Sequence, residues 1–305
     1  MSALPGTSSS WLRTPPEGKR KNFYQNVVFG LTILATIVVL TPIVIVAGYV
    51  VREGLSAITL EFLTEGPRRD GAEGGIWPVI VLTGYTLILV VVMAVPFGVG
   101  SAVFLSEYAR PGRLLRLINL TIINLAGVPS IVYGLFGAAF FLDILGGEKS
   151  LWVVSATLAL QALAIIITSA RESLLSVTRG IREGSLALGV SKLRTTFFIT
   201  LPQALPGIIT GVLLAISRAA GETAPVIVVG AILAKNVSLN PSAVINERAQ
   251  VLSFELYGRI TEGIGYPEER KWGIALVLLT VVLIFNLSAL FLRWRISQLG
   301  SVRRN

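Results

Sequence analysis

Apolar residues in this chain fall into six long runs separated by short polar stretches, at about 27–51, 77–105, 117–145, 151–170, 204–234 and 272–292. Each is near the roughly 20 residues that a helix needs to cross a bilayer. The pattern predicts an all-α, polytopic membrane protein with six transmembrane helices. Several runs carry helix breakers: Pro96, Gly98 and Gly100 in the second, Pro129 in the third, Pro225 in the fifth. Lipid supplies no hydrogen bonds, so such breaks are tolerated where protein or a water-filled cavity receives the freed backbone groups. Close packing by small residues explains Gly98 and Gly100 more readily than it explains Pro225.

The polar stretches divide the chain. Residues 1–26 are rich in Ser and Pro, close with Lys19, Arg20 and Lys21, and read as a disordered tail. The run after them is too long for a signal peptide and lacks a small-residue cleavage site, so an uncleaved helix over 27–51 is expected. An external segment over 52–76, a five-helix core over 77–292 and a tail over 293–305 complete the division. The segments 52–76 and 235–271 are the long ones outside the membrane, and two readings stay open for both: docking surfaces or solvated connectors.

Composition narrows the chemistry. Of 305 residues, 53% are hydrophobic and 14% charged, against roughly a quarter charged in soluble domains. There is no Cys and no His, which removes thiol chemistry, Ser-His and Cys-His catalysis and His metal sites together. With both termini inside, the inner segments hold 16 basic and 4 acidic residues, and the outer segments 9 and 11. The positive-inside rule therefore places the termini, and residues 171–203, in the cytoplasm. The net charge of +9 follows from this anchoring and calls for no nucleic acid. Asp143, near the outer end of the third run, reads as a cap or turn residue.

The polar stretch 182–207 reads REGSLALGVSKLRTTFFITLPQALPG. Glu183 to Leu188 has good helix formers, and Gly189 stands where a helix C-terminus wants positive φ. Lys192 to Thr200 restarts a short helix that Pro202 is expected to end or kink. The result is a helix-turn-helix finger with Leu186, Val190 and Phe197 as an apolar face. It suits a protein partner or the lipid headgroups equally well.

The spacing E-x5-G-x9-I-x-L-P, from Glu183 through Gly189 to Ile199, Leu201 and Pro202, resembles the coupling loop of bacterial ABC import permeases. Gly184 and Ser185 stand where that family usually has two alanines, so small residues are kept. The resemblance implies a type I (MetI-like) permease fold and a finger that docks into a groove on a separate ATPase subunit. No stretch fits the G-x4-G-K-[ST] phosphate loop, so the ATP and Mg belong to that partner and the chain is no enzyme.

The fifth run contains ISRAAGETAPVIVVG, residues 216–230, with Arg218 and Glu222 as its ionisable residues. Charges at membrane depth cost a few kcal/mol and point to function by default. Their spacing of four places them one helical turn apart, able to neutralise each other. Pro225 denies a hydrogen bond to the Gly221 carbonyl, which weakens the same turn. A gate or anion relay, a buried pair that orders the bundle, and an Arg218 that snorkels to the interface all remain open. R-A-A-G-E-T-A-P, together with FLSEYARPG (104–112) and NLAGVPSIVYGLFG (124–137), resembles the PstA-type permeases of phosphate-specific ABC importers. That resemblance implies a sister permease, two ATPase subunits, an external phosphate-binding protein and a place in the bacterial inner membrane. It also implies a translocation pathway at Arg218, Glu222, Thr223 and Pro225. A secondary transporter would share the spans but has no reason to carry the loop. Intramembrane proteases need His or paired Asp within the spans, and the chain has neither.

Overall fold

The computed structural model describes residues 19–233, 240, 243–261 and 266–302. Residues 1–18 of the expected tail lie outside them, as do parts of 235–271. The chain divides into two units at Arg52. The first is essentially one helix: α1 runs Lys19–Gly54 through the first apolar run, with Pro42 inside it. Helix is already formed at Lys19, so residues 19–26, expected in the tail, belong to it.

The second unit begins with a short helix, α2 (Leu60–Thr64), whose N-cap Thr59 accepts the Phe62 amide at 3.1 Å. A two-residue hairpin follows, β1 (Pro67–Arg68) against β2 (Glu73–Gly74), antiparallel with Pro67 opposite Gly74. Three spans come next. α3 (Trp77–Val103) starts with Pro78 in its first turn, where a missing N–H costs nothing, and ends in a π turn at Phe104–Tyr108. α4 (Arg113–Ala126) and α5 (Ser130–Gly137) with its π extension to Ile144 meet at a 101° bend. The span expected over 117–145, with Pro129 as its helix breaker, is thus broken into two helices. Pro129 enforces the break, and the Tyr133 hydroxyl donates to the Leu125 carbonyl at 2.8 Å, taking up an acceptor that the break frees. α6 (Leu151–Ser176) is the most enclosed of the spans, and its C-terminal end runs past the apolar run predicted to stop at 170.

After α6 come α7 (Arg179–Ala187) and α8 (Lys192–Thr195), then a π turn at Thr196–Thr200 leading into α9 (Leu201–Gly221). α10 (Ala224–Val229), α11 (Leu252–Thr261) and α12 (Glu268–Val302) finish the chain. α12 carries helix well past 292, through the start of the expected tail. Among the described residues five helices are long and apolar enough to cross a membrane, or six when the bent α4–α5 pair is counted as one span.

Three apolar clusters run through the bundle. At one end Ala102, Val103, Ala170, Leu174, Ala204 and Ile208 join the C-termini of α3 and α6 to the start of α9. A central cluster includes Val90, Leu158, Ala215, Ala219 and Val226. At the other end Phe62, Ile76, Val79, Leu252, Tyr266 and Ile274 gather α2, α3, α11 and α12. Without a hydrophobic force between helices in lipid, close approach must come from small residues. Gly207 and Gly211, four apart on α9, lie against Ser173 and Ser169, four apart on α6. Gly98 of α3 likewise faces Ile166 of α6, where a Cβ would come within 2.6 Å of Cγ2. Gly100 faces open space, so packing accounts for one of that pair and not the other.

The segments expected outside the membrane are packed rather than merely solvated. Val244, Ala249, Gln250, Leu252 and Glu255 are all buried. The Leu151 amide, starting α6, donates to the Glu247 carbonyl at 2.8 Å. Glu255 and Arg259 form a buried ion pair at 2.7 Å, with the Arg259 guanidinium 4.7 Å above the Tyr266 ring. Burial pushes the Tyr266 phenol up from its ordinary value, against the opposing pull of Arg270 and Arg259. Gly71, at φ +88°, leaves room for that guanidinium, since a Cβ there would lie 2.5 Å from an Arg259 terminal nitrogen.

Candidate functional site

Two groups of residues carry the chemistry, one at each end of α9. The first is the finger. α7 ends in a Schellman arrangement: the Gly189 amide donates to the Leu186 carbonyl at 3.0 Å and the Val190 amide to the Ser185 carbonyl at 3.3 Å. Gly189 takes φ +80°, the left-handed conformation its position predicts. Ser185 is buried, and its hydroxyl meets that of Thr195 at 2.9 Å, tying the two arms of the finger together. A small polar residue is needed there. Gly184, one residue earlier, faces open space and carries no such requirement.

Glu183, Gly184, Leu186, Leu188, Leu193, Phe197 and Phe198 are exposed, while Val190 and Ile199 are half-buried. Leu188 is 85% and Phe198 78% exposed, so apolar surface stands outward at the tip and on the second arm. Pro202 does not end the second arm. Helix runs from Lys192 to Gly221, because Pro202 falls in the first turn of α9 and the preceding π turn takes up the change in hydrogen-bond register.

The root of the finger is held by a residue that sequence reasoning passed over. Arg182 donates to the Leu174 and Val177 carbonyls at 2.5 and 2.7 Å, capping the C-terminus of α6. The same guanidinium pairs with Glu107, at the end of α3, at 3.0 Å. Lys192 lies over the Tyr108 ring, 5.2 Å from its centre. Glu107 and Tyr108 sit in the FLSEYARPG stretch, so the signal was on the page, without its partners.

The second group surrounds a break in the bundle. α9 stops at Gly221, and Glu222 turns extended at φ −73°, ψ 124°. The Pro225 ring then opens α10 rather than distorting α9, and α10 closes at Gly230 with φ +89°. The fifth run is therefore a long helix, a two-residue break and a short helix, where one span over 204–234 was expected. Pro225 is buried against Gly134 of α5, whose absent side chain allows the approach: a Cβ would lie 2.7 Å from Pro225 Cα. The freed backbone is satisfied within the protein. The Glu222 carbonyl accepts the Ser253 hydroxyl of α11 at 2.8 Å, and the Thr223 carbonyl accepts the Ile227 amide at 3.0 Å.

Arg218 and Glu222 do pair, through Arg218 Nε and Glu222 Oε1 at 3.2 Å. Their side chains differ in surroundings: Arg218 is 51% exposed and Glu222 only 14%. A second donor reaches the same oxygen. Gln161 of α6 brings Nε2 to Glu222 Oε1 at 2.6 Å across 61 residues of sequence. Gln161 stands out in LALQALAII as the one amide in its run, a sign that went unread. Thr223 is half-buried at the break. Among the described residues no group of three or more acidic side chains is placed to hold a metal. The arrangement is a half-exposed guanidinium, fixed at one edge, beside an interrupted helix.

Comparisons with known proteins bear on both groups. The family of binding-protein-dependent transport system inner membrane components matches residues 94–298, which include the finger and the break. Over 266 residues the chain is 35% identical to "Phosphate transport system permease protein PstA 1" of Mycobacterium tuberculosis, covering 85% of this chain and 84% of that protein. Among solved structures, a bacterial ABC transporter involved in the import of the polysaccharide alginate aligns with TM-score 0.61 at 12% identity, over 91% of this chain and 97% of the other. The inward-facing MetNI methionine ABC transporter aligns with TM-score 0.54 at 21% identity, over 72% and 94%. The two structures speak to the fold alone.

Proposed function

The chain belongs to the family of binding-protein-dependent transport system inner membrane components, with the MetI-like permease fold, and from that premise we propose that it is the membrane-spanning subunit of an ATP-driven phosphate importer. Arg218 is the observation that carries this reading. A guanidinium within a span, half-exposed and held by its Nε edge, presents its terminal nitrogens as a fork for a tetrahedral oxyanion. The 35% likeness to a phosphate permease over most of both chains supports phosphate as that anion.

The finger is the input. Glu183, Gly184, Ser185, Gly189, Ile199, Leu201 and Pro202 form or brace a helical tip with exposed apolar side chains, which suits a groove on an ATPase subunit. ATP and Mg are held by that partner, two copies of which serve this chain and a homologous sister permease. An external binding protein delivers phosphate to the far side. The basic residues of 171–203 support a cytoplasmic finger and cytoplasmic termini, in keeping with a chain of a bacterial inner membrane. ATPase closure pushes the finger, and the spans tilt as rigid bodies. Arg218, Glu222, Thr223 and Pro225 then meet the anion at the break.

Reconstitution tests the whole reading. The chain, its sister, the ATPase and the binding protein in proteoliposomes take up labelled phosphate only with ATP inside the ATPase compartment, and Arg218→Gln abolishes uptake while the complex still assembles. Phosphate entry without ATP would point to a secondary transporter, and uptake of another oxyanion in place of phosphate would reassign the substrate.

A further inference from the structure

We infer that Gln161 is a positioning residue that keeps Arg218 available to the transported anion, by holding Glu222 from the opposite side. The inference rests on the reading of Arg218 as the anion contact. Left alone, a carboxylate beside an arginine swings to the bidentate pairing, two parallel N–H···O bonds to the guanidinium fork. That pairing is absent here. Glu222 meets Arg218 through one oxygen and the Nε edge only, at 3.2 Å, while the same oxygen is drawn to Gln161 Nε2 at 2.6 Å. The shorter bond goes to the buried Gln161, and the longer one to the half-exposed Arg218.

The amide is suited to this task. It donates without adding charge, so it stabilises an ionised Glu222 in place and leaves the +1 of Arg218 uncancelled by a closer contact. A lysine there would neutralise Glu222 and compete for the anion. The placement also carries a cost that packing does not explain. Gln161 is buried in an apolar helix, and its Oε1 has no partner among the described residues. A buried acceptor left unmade is unfavourable, and an apolar side chain of similar volume would avoid it. The backbone adds to the restraint: the Glu222 carbonyl accepts from Ser253, so the residue is held at both its main chain and its carboxylate. With Glu222 fixed, the terminal nitrogens of Arg218 stay outside the ion pair, which uses its Nε.

Gln161→Met removes the amide and keeps the length of the side chain. In the reconstituted importer it is expected to raise the KM for phosphate by about tenfold or more while the maximal rate and the yield of assembled complex change by less than about twofold. The same substitution in a Glu222→Gln background is expected to leave KM where Glu222→Gln alone puts it, because no carboxylate remains to close on Arg218. Gln161→Leu is the second variant, should Met pack poorly. An unchanged KM in Gln161→Met, or an equal rise with and without the Glu222 carboxylate, overturns the inference. So does a failure of both variants to assemble, which would make Gln161 a packing residue. A wild-type importer that moved no phosphate would instead strike the substrate assignment, and this inference with it.

Discussion

Arg182 and Glu107, 75 residues apart in sequence, meet at 3.0 Å where the finger joins the bundle. The contact links α7 to the end of α3, and the two carbonyls Arg182 also caps belong to the end of α6. One guanidinium thus ties the finger to two spans. Their side chains are 18% and 9% exposed, so removal of either leaves a poorly solvated charge.

Arg182→Gln should lower stability by about 2–3 kcal/mol, below the range for a fully buried pair because solvent reaches the Arg. A thermal melt of the purified complex measures it. The same variant should hydrolyse ATP with reduced phosphate transport per ATP, since the finger remains present but less firmly rooted. Arg182→Lys keeps the charge without the fork and should fall between the two.

Gly189 separates backbone strain from contact. A Cβ at this position meets nothing within 4 Å, so strain at φ +80° is the main cost of a substitution. Gly189→Val should cost about 1–2 kcal/mol, and Gly189→Asn much less, because Asn visits this region. Gly189→Asp adds a charge to the apolar tip and should release the ATPase or uncouple it. Co-purification of ATPase with each variant orders them, and equal recovery with all three would remove the finger from the docking surface.

Gly134 and Gly84 make a matched pair for the role of the break. At Gly134 a Cβ would press on the Pro225 backbone, which cannot move aside as a flexible side chain would. Gly134→Ala should therefore destabilise by about 1–3 kcal/mol and displace α10. Gly84 faces open space within α3, and Gly84→Ala should be neutral or stabilising by up to about 1 kcal/mol through helix propensity. Melting temperature and phosphate uptake of the two variants should part company, with both falling only for Gly134→Ala.

Arg218→Lys probes geometry where Arg218→Gln probes charge. Lysine keeps +1 but offers a point charge in place of a planar fork, so phosphate should still be carried with a raised KM. Uptake assays over a phosphate series distinguish this from the complete loss expected of Arg218→Gln.

Much of this was legible from residue order because lipid imposes a length that apolar runs reveal directly. The finger was legible for a related reason: Gly189 marks a helix end by its conformation alone, without help from distant residues. What escaped was whatever depends on a partner far along the chain. Gln161 and Arg182 each act through residues 61 to 75 positions away. Gly207 and Gly211 show a small-residue spacing, but not that Ser169 and Ser173 receive it. Pro129 and Pro225 marked the broken runs, but hydropathy is blind to the change of direction at 127–129 and 222–223. Pro202 does not end the helix as one of the two expected outcomes had it, because it falls in the first turn of α9, directly after a π turn.

Helix continues without a gap from Lys192 to Gly221, through the π turn at Thr196–Thr200 and past Pro206, so one element joins the finger's second arm to the charged end of α9. From Lys192 to Arg218 the rod is roughly 39 Å long at 1.5 Å per residue. Swinging it by about 5° around one end carries the other by roughly 3 Å, comparable to one hydrogen-bond length. Mechanical advantage of this kind needs no chain of side-chain rearrangements between the two ends. On the proposed reading, movement of an ATPase at the finger would be carried towards Arg218 along this one element, which ends at the two-residue gap after Gly221.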